Sequence, residues 1–348
     1  MLEQIYDRSH SLVASNIGRT IISPSQFTAP WWARNSHIQT LLPTFLRRNK
    51  RLKLAWQKLD LADGDFVDLA WIESDEARSP EQPIVVVFHG LEGSVESPYA
   101  KGILQACHQQ GWRAVVMHFR GCSGKPNRLW RGYHSGEIED AKACINYLQQ
   151  QYPKAPLLAL GYSLGGNMLV NYLAKTPNSP IVAAAVVSPP LNLAACSERL
   201  QRGFSKIYQH HLLSRMKRNL CKKINKTQQA PLNTQQVQSW RNFVQFDEHY
   251  TAQAHGFKGA ADYYHRCSGL PLLKDIRHPT LLIHAADDPF MDQRVIPKAE
   301  QLSQAVEYRL SNTGGHVGFV GGSLLRPQFW LESSIPAWFK QQLEQVVK

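Results

Sequence analysis

Leu157-Leu158-Ala159-Leu160-Gly161-Tyr162-Ser163-Leu164-Gly165 decides how this chain is read, because a short apolar run enters a G-x-S-x-G pattern and a helical pattern follows at once. Leu157 to Leu160 has the character of a buried strand, and Asn167 to Lys175 spaces its apolar residues as a helix does. Between them only a sharp strand-to-helix turn fits. The small residues beside Ser163 let neighbouring backbone come close, so such a turn lifts the serine hydroxyl out at the top of a sheet. By chance the bare pattern occurs in roughly one chain in ten of this length, so its weight comes from the strand before and the helix after.

Moving outward, the apolar runs Ile84–Phe88, Ala114–Phe119, Ile181–Val187, Thr280–His284 and Val306–Leu310 predict further buried strands. Helices are predicted over 99–110, 138–151 and 293–304, with a last one near 335–347. Strands of this kind alternating with helices define an α/β protein whose mostly parallel sheet is covered on both faces. Ahead of it, Leu54–Leu61 and Phe66–Ile72 flank an Asp-Gly turn and predict a β-hairpin. Residues 1–52 are expected to form an N-terminal arm with short helical pieces, docked through Trp31 and Trp32. From Leu191 to about Leu270 the pattern is helical, basic and aromatic, as for a cap inserted over the sheet edge. The expected division is therefore an arm (1–52), a core in two parts (53–190 and 271–348) and a cap (191–270).

A serine hydroxyl needs a base to take its proton and a third group to orient that base. The strand Thr280–His284 runs into Ala285-Ala286-Asp287-Asp288-Pro289-Phe290, and Asp288 holds the last place before a turn-fixing proline. Asp287 is the competing choice, with turn capping as its other role. The next strand leads to Gly314-Gly315-His316-Val317-Gly318, where glycines on both sides let the loop curl the imidazole of His316 toward Ser163. After Ile84–Phe88, the turn His89-Gly90-Leu91-Glu92-Gly93 can present the Leu91 N–H to a developing oxyanion, joined by the N–H of Leu164. His89 is expected to hold that turn rather than transfer protons, and Arg120 to organise buried charge.

The six cysteines show no C-x-x-C pair and no zinc-like spacing, which points to reduced, packing thiols in a cytoplasmic protein. No phosphate-binding glycine loop and no H-E-x-x-H pattern is present, so neither cofactor nor metal is expected. No apolar run is long enough to span a membrane, and no export signal is visible. The net charge of +12 is concentrated in residues 47–53 and 197–226. No helix-turn-helix, zinc-finger or RNA-binding signature accompanies either cluster, so nucleic acid is not an expected partner. Solvated helix faces, or a peripheral contact with anionic membrane, remain for Lys217, Arg218, Lys222 and Lys223. Phe204, Tyr208, Trp240, Phe243 and Phe246 of the cap are candidates to cover an acyl chain.

These stretches, together with Ser36-His37-Ile38-Gln39-Thr40, Phe119-Arg120-Gly121-Cys122-Ser123-Gly124 and Asp262-Tyr263-Tyr264, resemble the YheT-like branch of the α/β-hydrolases. That branch is related to eukaryotic α/β-hydrolase-domain proteins and to yeast medium-chain ester-forming enzymes. The resemblance covers nearly the whole chain and implies an α/β-hydrolase fold with a charge relay of Ser163, Asp288 and His316. It also implies hydrolysis of carboxylic esters with short to medium acyl chains or of glycerolipid type. Two alternatives stay open: acyl transfer to an alcohol with the same residues, and a silent module that binds an acyl ligand or a protein.

Overall fold

Continuous aliphatic runs form the interior of one nine-stranded sheet in the computed structural model, which describes residues 22–24, 26–47, 52–73, 79–227 and 230–346. Its strands are β1 (Ile22–Pro24), β2 (Leu54–Asp60), β3 (Phe66–Ile72), β4 (Ile84–Phe88), β5 (Arg113–Met117), β6 (Leu157–Tyr162), β7 (Ile181–Val187), β8 (Thr280–Ala285) and β9 (Val306–Ser311). Their order is β1-β9-β8-β7-β6-β4-β5-β3-β2. The hairpin β2–β3 and its junction with β5 are antiparallel, and the other pairs are parallel. Strand β6 shows why near-continuous apolar character is needed: Leu157 and Ala159 enter one core, while Leu158, Leu160 and Tyr162 enter the other.

Helices cover both faces. The chain supplies α1 (Ser36–Leu46) in the arm, then α2 (Pro98–Gln109), α3 (Glu139–Gln151) and α4 (Leu164–Lys175). Between β7 and β8 lie α5 (Leu193–Leu200), α6 (Ser205–Ile224), α7 (Thr234–Ser239), a helical run from Phe243 to His255, and α8 (Ala260–Cys267). The closing helix, α9, spans Trp330–Val346 and starts earlier than the pattern predicts. Tyr208, Leu213, Leu220, Val237, Trp240 and Phe246 pack in a small core within the layer between β7 and β8.

Several expectations are corrected. Residues 293–304 form two short 3₁₀ turns, Gln293–Val295 and Ala299–Gln301, because Pro297 disfavours helix at Ile296, whose ψ is 115°. Of the tryptophan pair, Trp31 is 77% exposed and does not dock, whereas Trp32 donates from Nε1 to Gly322 O at 3.3 Å; Phe27, Ala29, Ala33, Gln39 and Arg47 are buried there. Strand β1 and the hairpin of β10 (Val320–Ser323) with β11 (Arg326–Phe329) were not predicted. Both are too short to show a period. Arg47 is not a solvated charge: its guanidinium is paired with Glu332 and lies 3.4 Å from the Phe329 ring centroid. Residues 48–51 of that basic cluster lie outside the described residues. Lys223 is buried as well, donating to the carbonyls of Trp130 and Arg131 at 2.9 Å each, and burial pushes it down to about 8. Of the five aromatics expected to cover an acyl chain, Phe243 lines the central cavity; Tyr208, Trp240 and Phe246 pack internally, and Phe204 lies half-exposed 4.3 Å from His37.

Arg120 is the buried organising cation the sequence suggests. Its Nε and Nη2 donate to Asp140 at 2.7 and 2.6 Å, and Nη1 reaches Asp63 at 2.7 Å and Asp65 at 3.1 Å. These bonds tie the β2–β3 turn to α3, and the carboxylates raise the Arg120 pKa against its desolvation. No helix among the described residues is long and apolar enough to cross a membrane.

Candidate active site

Ser163 stands between β6 and α4 with φ of 50° and ψ of −120°, the strained turn expected of this pattern. Its N–H donates to Val187 O at 2.8 Å, across to the end of the neighbouring strand. The flanking glycines are required by crowding. A Cβ on Gly165 would come within 2.4 Å of His89 O, and one on Gly161 within 2.6 Å of Gly165 O. With no Cβ at either place, helix α4 starts directly against the end of β4.

The loops after β8 and β9 bring the other two residues to this point. The Ser163 hydroxyl donates to His316 Nε2 at 2.9 Å, and His316 Nδ1–H donates to Asp288 Oδ2 at 2.8 Å. The Asp288 pairing is what assigns the proton to Nδ1. Asp288 is buried, and its Oδ1 accepts the Phe290 N–H at 2.8 Å. The Phe290 ring stacks on the imidazole at 4.0 Å and 5°, which fixes the plane of His316. Asp287 points elsewhere: its Oδ1 accepts the Gly315 N–H at 2.9 Å, and its Oδ2 has no hydrogen-bond partner. Burial, with the Asp288 charge adding to it, pushes Asp287 up to about 6.

The turn after β4 is anchored on both sides of Leu91. The Gly90 N–H donates to the Tyr99 hydroxyl and the Glu92 N–H to the Tyr133 hydroxyl, each at 2.8 Å, so the Leu91 N–H lies between two fixed amides. Leu164 is the first residue of α4, and its N–H has no carbonyl to meet within the helix. Both residues line the same cavity as Ser163 and His316. His89 holds the turn, donating from Nδ1 to Gly90 O at 2.7 Å and accepting the Phe119 N–H on Nε2 at 3.1 Å. Its complete burial pushes it down to about 3, so it stays neutral.

Sequence reasoning missed three supports. Glu92, buried and at φ 54°, accepts from Tyr133 at 3.1 Å and from Asn219 at 2.5 Å, while Arg215 donates to its carbonyl at 2.8 Å. Helix α6 is thereby fastened to the turn that carries Leu91. In the arm, Thr40 Oγ1 accepts the His316 N–H at 2.9 Å and donates to Ser36 O at 2.7 Å. The amide of the fully buried Gln39 brackets Val320, donating to its O at 2.9 Å and accepting its N–H at 2.6 Å. A Cβ on Gly315 would meet Ser36 O at 2.5 Å, and one on Gly318 would meet Gln39 O at 2.1 Å, so these glycines admit the arm. The Ser36–Thr40 stretch was a motif without a role; the contact it makes is too distant in sequence to read.

Among the described residues, every non-glycine with positive φ sits around Ser163: Glu92, Ser163, Ser188, Val317 and Phe319. Such backbone costs on the order of 1–3 kcal/mol at each position, and it gathers on loops that follow the strands, where strain of this kind commonly accompanies a site. The cavity there opens to solvent, holds about 680 Å³ of empty space when the solvent at its mouth is counted, and is lined mainly by apolar side chains, among them Leu200, Leu212, Met216, Phe243 and Phe290.

Elsewhere, His134, Glu137 and His255 bring possible metal-ligand atoms within 4.8 Å of one another. The Glu137 carboxylate is already paired with Arg131, and the charges of Arg131, Lys175 and Arg266 all bear on His134.

The fold is that of the α/β-hydrolase class. The chain belongs to the α/β-hydrolase fold family, whose model matches residues 83–323. It is similar to the Escherichia coli (strain K12) protein YheT, which carries a provisional esterase name, at 53% identity over 89% of this chain and 92% of that protein. The mouse (Mus musculus) phospholipase ABHD3 is 30% identical over 84% of this chain and 72% of its own length. Among solved structures, an esterase of Pyrococcus furiosus superposes with a TM-score of 0.52 at 15% identity, covering 94% of this chain and 97% of that one. That likeness speaks for the fold alone.

Proposed function

We propose that this chain is a serine carboxylic-ester hydrolase working through an acyl-enzyme on Ser163. The observation that carries the reading is the unbroken line of hydrogen bonds from the Ser163 hydroxyl through His316 to Asp288, beside an apolar cavity. In this reading His316 Nε2 takes the hydroxyl proton as Oγ attacks the ester carbonyl carbon. The N–H groups of Leu91 and Leu164 hold the oxyanion, and each such donor is worth about 3 kcal/mol of transition-state stabilisation. His316 then passes the proton to the departing alkoxide, and water repeats the cycle in reverse on the acyl-enzyme. Asp288 keeps the imidazole in the required tautomer and stabilises its charged form.

Acyl esters of short to medium length, or glycerolipid-like esters, are the proposed substrates, in keeping with the esterase and phospholipase names of the relatives. The layer at 191–270 is proposed as the cap that walls the acyl chain, since Leu200, Leu212, Met216 and Phe243 come from it. A second reading, acyl transfer to an alcohol, is favoured by a yeast relative, 27% identical over 79% of this chain, named a medium-chain fatty acid ethyl ester synthase/esterase. Ethanol added to the assay separates the two by yielding ethyl ester or free acid. The deciding experiment is labelling with a fluorophosphonate probe. Label on Ser163, absent in Ser163→Ala along with nearly all turnover of p-nitrophenyl esters, is the expected result. A folded Ser163→Ala protein with full esterase activity would overturn it.

A further inference from the structure

The apolar cavity beside Ser163 holds one carboxylate. Asp247 lines it, is 9% exposed, and belongs to the helical run that follows Phe243. Its Oδ1 accepts from the Thr251 hydroxyl and its Oδ2 from the Tyr264 hydroxyl, each at 2.7 Å. Both partners are neutral, and no ion pair joins Asp247 to a lysine or arginine among the described residues. A carboxylate offers about four lone-pair sites, so two remain to be filled. A buried charge without a counter-charge is costly, and a wall meant only to cover hydrocarbon gains nothing from it. Ser135, Ser197 and Tyr264 line the same cavity, and the Tyr264 hydroxyl stands 3.4 Å from Ser197 Oγ. Tyr263 fastens this corner by accepting the Ser135 N–H at 3.0 Å. Polar groups thus gather at one part of an otherwise apolar chamber that also holds Ser163 and His316.

We propose that Asp247, presented by Tyr264, is a specificity-determining residue that selects esters whose cavity-filling arm carries a hydrogen-bond donor, a hydroxyl or an ammonium, at its far end. The inference rests on the hydrolase reading for the location of the scissile bond and adds the chemistry of the arm. Burial pushes the Asp247 carboxyl up to about 6, so at neutral pH it is an acceptor awaiting a donor. Its other consequence is rejection: an arm ending in methyl leaves the carboxylate buried and unpaired, which a site built for a donor penalises heavily.

The test compares p-nitrophenyl alkanoates of four to twelve carbons with their ω-hydroxy and ω-amino counterparts, and alkyl acetates with the same end groups, so that either side of the ester can enter the cavity. In the wild type, kcat/KM favours the donor-ended ester over the methyl-ended one at the length that reaches Asp247. In Asp247→Leu that ratio falls at least about tenfold. Asp247→Asn keeps the hydroxyl preference and loses the ammonium preference, which tells the two donors apart. Tyr264→Phe gives a milder loss of the same preference and serves if the leucine variant does not fold. An unchanged ratio in the folded variants overturns the proposal. Calorimetric binding of N-methyl alkanamides and their ω-hydroxy and ω-amino forms to Ser163→Ala reads the same preference without turnover. If no ester is cleaved but the donor-ended amides bind more tightly and lose that advantage with Asp247→Leu added, the hydrolase reading fails and the recognition point stands.

Discussion

Replacing Thr40 by valine separates the arm's positioning of His316 from its packing. Valine has nearly the shape of threonine, so α1 keeps its place, but a methyl group then stands where Oγ1 accepts the His316 N–H at 2.9 Å. That separation is too short for carbon, so the loop must retreat by roughly half an ångström from a van der Waals distance of about 3.5 Å. An N–H left without a partner costs about 1–3 kcal/mol. Misplacing a reacting group by about 1 Å can cost 100-fold in rate, so half that shift predicts a loss on the order of tenfold in kcat. The assay is turnover of p-nitrophenyl esters alongside thermal unfolding, with Thr40→Ser as control. Serine restores the acceptor and is expected to recover most of the rate, while valine lowers both kcat and Tm. Wild-type kcat and Tm in Thr40→Val, or equal impairment by serine, would refute the reasoning.

Asp288→Asn is expected to lower turnover by about 10⁴-fold, because an amide can hold His316 in the wrong tautomer, whereas Asp287→Asn should cost far less; equal effects in folded proteins would reverse the assignment. Asp247 and Asp287 are both pushed up to about 6, above the ordinary aspartate value of 3.8. The native state therefore holds extra protons between about pH 4 and 6, and the stability these groups contribute at low pH is lost as pH rises through that window. Asp247→Asn should accordingly raise stability at pH 8 by up to about 3 kcal/mol and change little at pH 4, as read from Tm against pH. Phe204, just before α6, and Ile207 on it are 49% and 57% exposed, and the same helix carries the exposed basic residues Lys206, Arg218 and Lys222. Sedimentation with anionic but not neutral liposomes, weakened by salt and by about 100-fold on neutralising those three charges, is expected; indifference to lipid charge removes membrane contact.

Legibility followed the range of the interactions. The Ser163 turn is local, and its glycines, strand and helix all fall within twenty residues, so it could be read directly. Chain order and loop chemistry single out Asp288 and His316, the residues hydrogen-bonded in line with Ser163, since each follows a strand that the apolar pattern identifies. Asp287 and Asp288 differ only in which way each side chain points; the proline that fixes the turn was the clue. The helix expected over 293–304 is absent because Pro297 keeps Ile296 out of helical backbone, which apolar spacing alone does not reveal. Gln39, Thr40 and Glu92 were out of reach, as their partners lie 281, 276 and 127 residues away. Asp247 was likewise silent, being one aspartate in a basic helical stretch until the fold set it in a cavity.

The seating of Gly315 and Gly318 against the arm bears on how this architecture can be recombined. A β-carbon at either place collides with the backbone of residues 36–39, so the histidine loop and the arm form a lock and key cut from opposite ends of the chain. Their compatibility is inherited as a pair. A chimera that takes its C-terminal third from one relative and its first fifty residues from another joins two halves shaped for different partners, however well the central sheet matches. Exchanges that carry both pieces together, leaving the middle of the chain as the variable part, are the ones this geometry permits.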